Sequence, residues 1–282
     1  MKDMPTHRSA FPRILSKKHS QNETHSIYLK IIEKQMVLRC LSIYALVQSL
    51  CIVAETPEVA AEILKSIKKE KERNAKVVRH SCLVVIQSLC KRQHIEEARA
   101  ILSWMISIKM SPDNAIYNAL ITGFCKAEKP DEAIPLLEEM PSRHLKPDIY
   151  AYDVIMSNYA KARKMEKACD VFSKAQNADI KSHFITYQIL IDGFYRLGNL
   201  EKAHHYFFEL KKSGQKPNND SYSKLVRAYC IEGFDWRSTQ TLLNEMEQSG
   251  LSPSEYTCSL VPALKELEEE AFQEKPEAIP NN

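Results

Sequence analysis

From residue 79 onward, apolar positions fall in blocks with helical spacing, and the blocks recur every 35 residues. Tyr117, Leu120, Ile121 and Phe124 lie at i, i+3, i+4 and i+7, one face of a helix. A second apolar phase runs through Ala133, Leu136, Leu137 and Met140, with Asp131 and Glu132 in its first turn, where carboxylates suit the helix N-terminus. The unit closes at Lys146, Pro147 and Asp148: Pro147 stops the helix, and Asp148 offers a cap to the next one. Three columns keep this register: Tyr117, Tyr152, Tyr187 and Tyr222; Ile86, Ile121, Met156, Ile191 and Val226; and Lys91, Lys126, Lys161 and Arg196. A small residue recurs at the helix crossing as Ala98, Ala133, Ala168, Ala203 and Ser238. A period between 20 and 50 residues signals an all-α solenoid of stacked helix-turn-helix units, in which neighbours supply each other's core.

In register, five units occupy 79–113, 114–148, 149–183, 184–218 and 219–254. A degenerate unit is expected over 40–78, where Tyr44 to Cys51 and Ala60 to Leu64 echo 82–90 and 98–102. Residues 255–264 read as a partial capping helix, and 265–282 as an acidic, proline-spaced disordered tail. Residues 1–39 carry 8 Lys/Arg against 3 Asp/Glu, a basic segment with the look of an organellar transit peptide; the alternatives are a disordered basic start or a chain whose true beginning is missing.

Composition narrows the chemistry. Residues 40–264 are nearly neutral, with 29 cations against 27 anions, so any affinity for nucleic acid must come from where the cations sit. The eight cysteines show no C-x-x-C pair and read as reduced thiols packed in helices, with Cys90, Cys125 and Cys230 at one repeat position. No run approaches 18 apolar residues, so no membrane span is expected. His94 and Glu96 match half of a zinc-deaminase signature, but no P-C-x-x-C follows; His204 and His205 point to different faces of a helix. Neither an enzyme nor a metal or cofactor site is expected.

The unit running from Ile116 through Lys126, Asp131 to Ala133, Leu137 to Met140 and the close at Lys146 to Asp148 resembles the pentatricopeptide repeat. The resemblance covers 79–254 well and 40–78 loosely. It implies a right-handed superhelix with first helices on the concave face, and binding of single-stranded RNA in mitochondria or, alternatively, plastids, at about one base per repeat. It further implies that the fifth and last residues of each repeat read the base: Leu83 with Asp113, Asn118 with Asp148, Asp153 with His183, Gln188 with Asn218, and Ser223 with Ser254. The second residue wedges between bases, here His80, Ala115, Tyr150 and Ile185, with Asp220 placing a carboxylate where a wedge should be. Among the pairs, Asn118 with Asp148 matches one that favours uracil in the family.

Each of these positions also has a structural reading. The tyrosine column, with apolar partners at i+3 and i+4, reads as core rather than base-stacking. Lys91, Lys126, Lys161 and Arg196 suit the negative end of a helix dipole, and the resemblance adds phosphate contact to that role. Asn118 and Asp148 also suit turns and caps. The expected function is an RNA-binding adaptor in organellar RNA processing, stability or translation, monomeric and open to other RNA-processing proteins. A protein-binding scaffold with little RNA specificity is the rival.

Overall fold

The computed structural model describes residues 47–48, 50–51, 57–66, 75–230 and 236–273, and every regular element among them is helical. The basic segment at 1–39, Cys40, Tyr44 and the chain from 274 lie outside the described residues. The chain divides into two compact units, residues 1–155 and 156–282.

In the first unit, α1 (Pro57–Ser66) precedes α2 (Ala75–Lys91), α3 (Ile95–Ser107), α4 (Asn114–Lys126) and α5 (Pro130–Ser142). The first helices of successive repeats, α2 and α4, pack side by side, while α3 and α5 pack on their respective partners. The core is the periodic apolar face: Ile86, Leu89, Ile101, Met105, Tyr117, Leu120 and Phe124 are buried, each contributing about 1.5–3 kcal/mol if fully removed from water. Helix α2 starts at Ala75 rather than at 79, because Ala75, Lys76, Val77 and Val78 include no proline stop like Pro147.

Helix α6 (Ile149–Lys161) contains the boundary between the units. The second unit continues with α7 (Met165–Asn177), α8 (Phe184–Arg196), α9 (Leu200–Lys212), α10 (Asn219–Ala228), α11 (Trp236–Gln248) and α12 (Glu255–Gln273). Here α8 packs on α9 and α10, and aromatic rings fill the interior: Phe194 stacks on Tyr206 at 5.6 Å, and Phe207 meets Tyr222 edge-on at 5.0 Å. All four periodic tyrosines are buried, Tyr187 being the most exposed at 7%. One boundary moves: α12 runs through Gln273, past the 264 expected from sequence, because the glutamates, leucine and alanine of 265–273 are strong helix formers.

Both helices of a repeat end in a residue with positive φ. Gln93, Glu128, Arg163 and Gly198 follow the first helices, and Lys109, His144, Asp179, Gly214 and Gly250 follow the second. Around Glu128 the amide of Lys129 returns to the Phe124 carbonyl at 2.9 Å and that of Glu128 to Cys125 at 3.1 Å, the Schellman pattern. The close approach of first helices is visible at Gly123, where a Cβ would lie 2.4 Å from Cys90 Sγ and 2.9 Å from its Cβ.

Candidate nucleic-acid interface

The last residue of each repeat stands at the entrance to the next first helix, directly after a proline in every case but His183, and four of the five cap that helix. Asp113 accepts from the Ile116 amide at 3.1 Å, Asp148 from Ala151 at 3.1 Å, Asn218 from Ser221 at 2.9 Å, and Ser254 from Thr257 at 3.2 Å. His183 exchanges contacts with Thr186, whose hydroxyl lies 3.1 Å from its Nδ1. Capping is therefore the local reason these residue types occur here.

Asp148 does a second thing. While Oδ1 caps α6, Oδ2 accepts from Asn118 Nδ2 at 3.1 Å, so fifth and last residues of the second repeat touch across one register. A carboxylate only accepts, which fixes the amide with its nitrogen toward Asp148. The Asn118 carbonyl oxygen is buried and makes no hydrogen bond. Asn114 Nδ2 donates to the Lys146 carbonyl at 2.9 Å and holds the closing turn against α4.

The other fifth residues differ. Leu83 and Ser223 are half-buried; Asp153 is buried at 6% exposure and does not present a carboxylate to solvent. Gln188 Nε2 donates to Asp192 Oδ1 at 2.6 Å and lies 3.4 Å from Asp220 Oδ2, while its oxygen accepts from Ser221 Oγ at 2.6 Å. Its connection to Asn218 runs through Ser221, whose hydroxyl also reaches Asn218 Oδ1 at 2.9 Å.

The second residues share one property: His80, Ala115, Tyr150, Ile185 and Asp220 are all exposed. Tyr150 at 52% and Ile185 at 59% are large side chains left in water against the hydrophobic tendency. Tyr256, at 57%, occupies the second position after Ser254 and extends the column beyond the five repeats. It is not legible among the five repeats because residues 255–264 read as a partial capping helix. The register alone would have found it.

The cationic column ends the first helices. Lys91, Lys126, Lys161 and Arg196 are the last residues of α2, α4, α6 and α8, all exposed. The dipole role is satisfied by position, and the side chains remain open to an anion. At the turn before α3, His94 Nδ1 lies 3.2 Å from both Glu58 and Glu97 Oε1, so the histidine of the H-x-E match pairs with Glu97 rather than Glu96. Buried thiols are pushed up, Cys90 to about 11 and Cys125 to about 12, by burial; they are packing groups rather than nucleophiles.

The family model of the PPR repeat family matches residues 112–161, 148–196 and 183–231. Residues 112–231 of the chain are thus built of pentatricopeptide repeats. Among solved structures, the pentatricopeptide repeat protein PPR10 from maize aligns with a TM-score of 0.56 at 17% identity, over 95% of this chain and 44% of that one. The nuclear proteinaceous RNase P 2 from A. thaliana aligns at 0.55 and 16%, covering 68% and 42%. The PPR domain of Arabidopsis thaliana protein-only RNase P 1, in complex with tRNA, aligns at 0.53 and 14%, covering 64% and 95%. At these identities the likeness is one of fold. The chain spans less than half the length of the maize protein. No curated protein matches the sequence.

Proposed function

We propose that this protein is a non-enzymatic adaptor that binds single-stranded RNA, about one base per competent repeat, on transcripts of the mitochondrion or, alternatively, the plastid. By occupying a strand it would block nucleases, prevent refolding or position a partner protein. The observation that carries the reading is the Asn118–Asp148 contact at 3.1 Å, beside the exposed Tyr150. An amide and a carboxylate held together offer donor and acceptor capacity to a base edge, and an exposed aromatic offers a face for stacking. The PPR domain crystallised with tRNA shows that a relative of the same fold contacts RNA.

Selection from a randomised single-stranded RNA pool tests this. Enrichment of a uracil at one position is expected, moving toward cytosine in Asp148→Asn, which keeps the cap because asparagine caps as well as aspartate. The discrimination should be about 1 kcal/mol for one polar pair facing solvent. An unchanged preference removes Asp148 from base reading. A protein-binding scaffold remains the second reading because Phe208, on the second helix α9, is 57% exposed. If RNA fails to compete with a protein captured through Phe208, the scaffold reading gains.

A further inference from the structure

We propose that Asp220 and Lys224 close the Gln188–Asn218 register to RNA bases, so that this repeat is a spacer in the array unless Asp220 is removed. The inference rests on the RNA-binding reading and concerns where along the second unit that binding stops.

Gln188 is the fifth residue of its repeat and carries two amide hydrogens and one carbonyl oxygen with which to meet a base edge. The fold has already committed them. Asp192, one turn along α8, takes a hydrogen bond from Nε2 at 2.6 Å; Asp220, on α10, draws the same nitrogen at 3.4 Å; and Ser221 Oγ approaches the carbonyl oxygen at 2.6 Å. Lys224 then ties the carboxylates together, reaching Asp192 Oδ1 at 2.7 Å and Asp220 Oδ2. Asn218, the last residue, accepts from the Ser221 amide at 2.9 Å, and its oxygen competes with that of Gln188 for the single Ser221 hydroxyl proton. Five side chains from two neighbouring first helices, together with the capping Asn218, thus form one connected network over the register. A base arriving there must break hydrogen bonds to charged partners, which are stronger than neutral ones.

Charge acts in the same direction. The cluster holds two carboxylates and one ammonium, a net formal charge of −1 where an RNA strand brings phosphates. Asp220, 58% exposed, sits in the second position, where the equivalent residues Ala115, Tyr150, Ile185 and Tyr256 are uncharged. A carboxylate has neither a face to stack on nor a donor to offer. The Asn118–Asp148 register, held by one hydrogen bond and followed by Tyr150, lacks such a network.

The test compares wild type, Asp220→Ala, the isosteric Asp220→Asn, and Asp220→Ala combined with Gln188→Ala, binding a randomised ten-nucleotide single-stranded RNA pool, with Asp170→Asn on α7 as a surface-charge control. Both single Asp220 variants should bind about fivefold tighter, the effect of removing one like charge near 4 Å in water, and should enrich a base at one additional position. The double variant should lose that extra position. An additional enriched position that survives in the double variant, or an equal gain in affinity from Asp170→Asn, assigns the effect to bulk charge and overturns the closure. Asp220 variants no tighter than wild type also overturn it, while enrichment by wild type leaves the RNA-binding reading standing. If neither wild type nor any Asp220 variant binds, the RNA-binding reading fails and takes the closure with it. Binding by the Asp220 variants alone supports it.

Discussion

The two compact units carry the same repeat, yet they solve its tight places differently. In the first, Gly123 lets α4 approach Cys90 of α2, and a Cβ there would lie 2.9 Å from the Cys90 Cβ, an atom fixed to the backbone. In the second, Gly193 occupies the equivalent position, but its nearest neighbours are Sδ and Cε of Met165, the mobile end of a flexible side chain. At the turns the contrast runs the same way. The first unit ends helices with Gln93, Lys109, Glu128 and His144 at positive φ, whereas the second uses Arg163 and Asp179 and then Gly198, Gly214 and Gly250. The first unit therefore keeps a demanding core and strained turns throughout; the second mixes strained turns with relaxed ones and has a core with room to adjust. The same repeat tolerates strain at either site, provided the surrounding helices hold it.

The largest separation of the units should come from alkaline pH, because several buried acids act together. Burial pushes the thiols of Cys51, Cys82 and Cys125 from 9.0 up to about 12, and that of Cys90 up to about 11. Burial likewise raises the Tyr117 hydroxyl from 10.0 to about 12. All five lie in the first unit. The folded state keeps protons that the unfolded chain releases, so this stability is fully present below pH 9 and is lost as pH rises toward the folded values. In the second unit burial raises Cys230, Tyr187 and Tyr206 as well, but fewer thiols contribute. Trp104 and Trp236 are the only tryptophans, one in each unit, so Trp104→Phe and Trp236→Phe report the units separately. Urea midpoints measured at pH 8 and above pH 10 should fall more for the unit reported by Trp104. Parallel falls would break the comparison.

Next in size is Gly123→Ala, expected to cost about 1–3 kcal/mol by overpacking against Cys90. Gly193→Ala should cost less, since Met165 can move aside. Chemical denaturation of both variants checks the order, and an equal cost would show that α2 and α4 are not the tighter pair. Smaller again are the turns. Glu128→Gly should gain about 1 kcal/mol by relieving a left-handed residue, and Gly198→Ala should lose about as much. Melting temperatures moving the same way in both variants would sink the assignment.

The smallest effect on the fold, a few tenths of a kcal/mol, is expected from Lys126→Ala with Lys161→Ala, one cation from each unit, because each loses only a dipole contact at an exposed end. If both touch phosphate, the log-log salt dependence of single-strand binding should flatten by about 1.4 with no change in base preference. An unchanged slope would return these cations to a purely helical role.

Much of this was legible from the chain. The 3.6-residue spacing of Tyr117, Leu120, Ile121 and Phe124 fixes which face is buried, because only one side of a helix can meet a neighbour. Pro147 and Asp148 fix where helices stop and start, because the proline lacks an amide hydrogen and the carboxylate supplies a cap. These are local constraints, readable within one repeat. The contacts that distinguish one register from another were not readable in that way. Asn118 meets Asp148 across 30 residues, and Gln188 is captured by Asp220 and Ser221 from 32 and 33 residues away. Such pairs depend on how closely neighbouring first helices approach and which rotamers their packing permits, and these are settled only when one repeat docks on the next. The sequence by itself determined the period, the helices, the core face and the caps; tertiary packing decided which of the repeated positions remain open to a ligand and which are taken by the protein's own side chains.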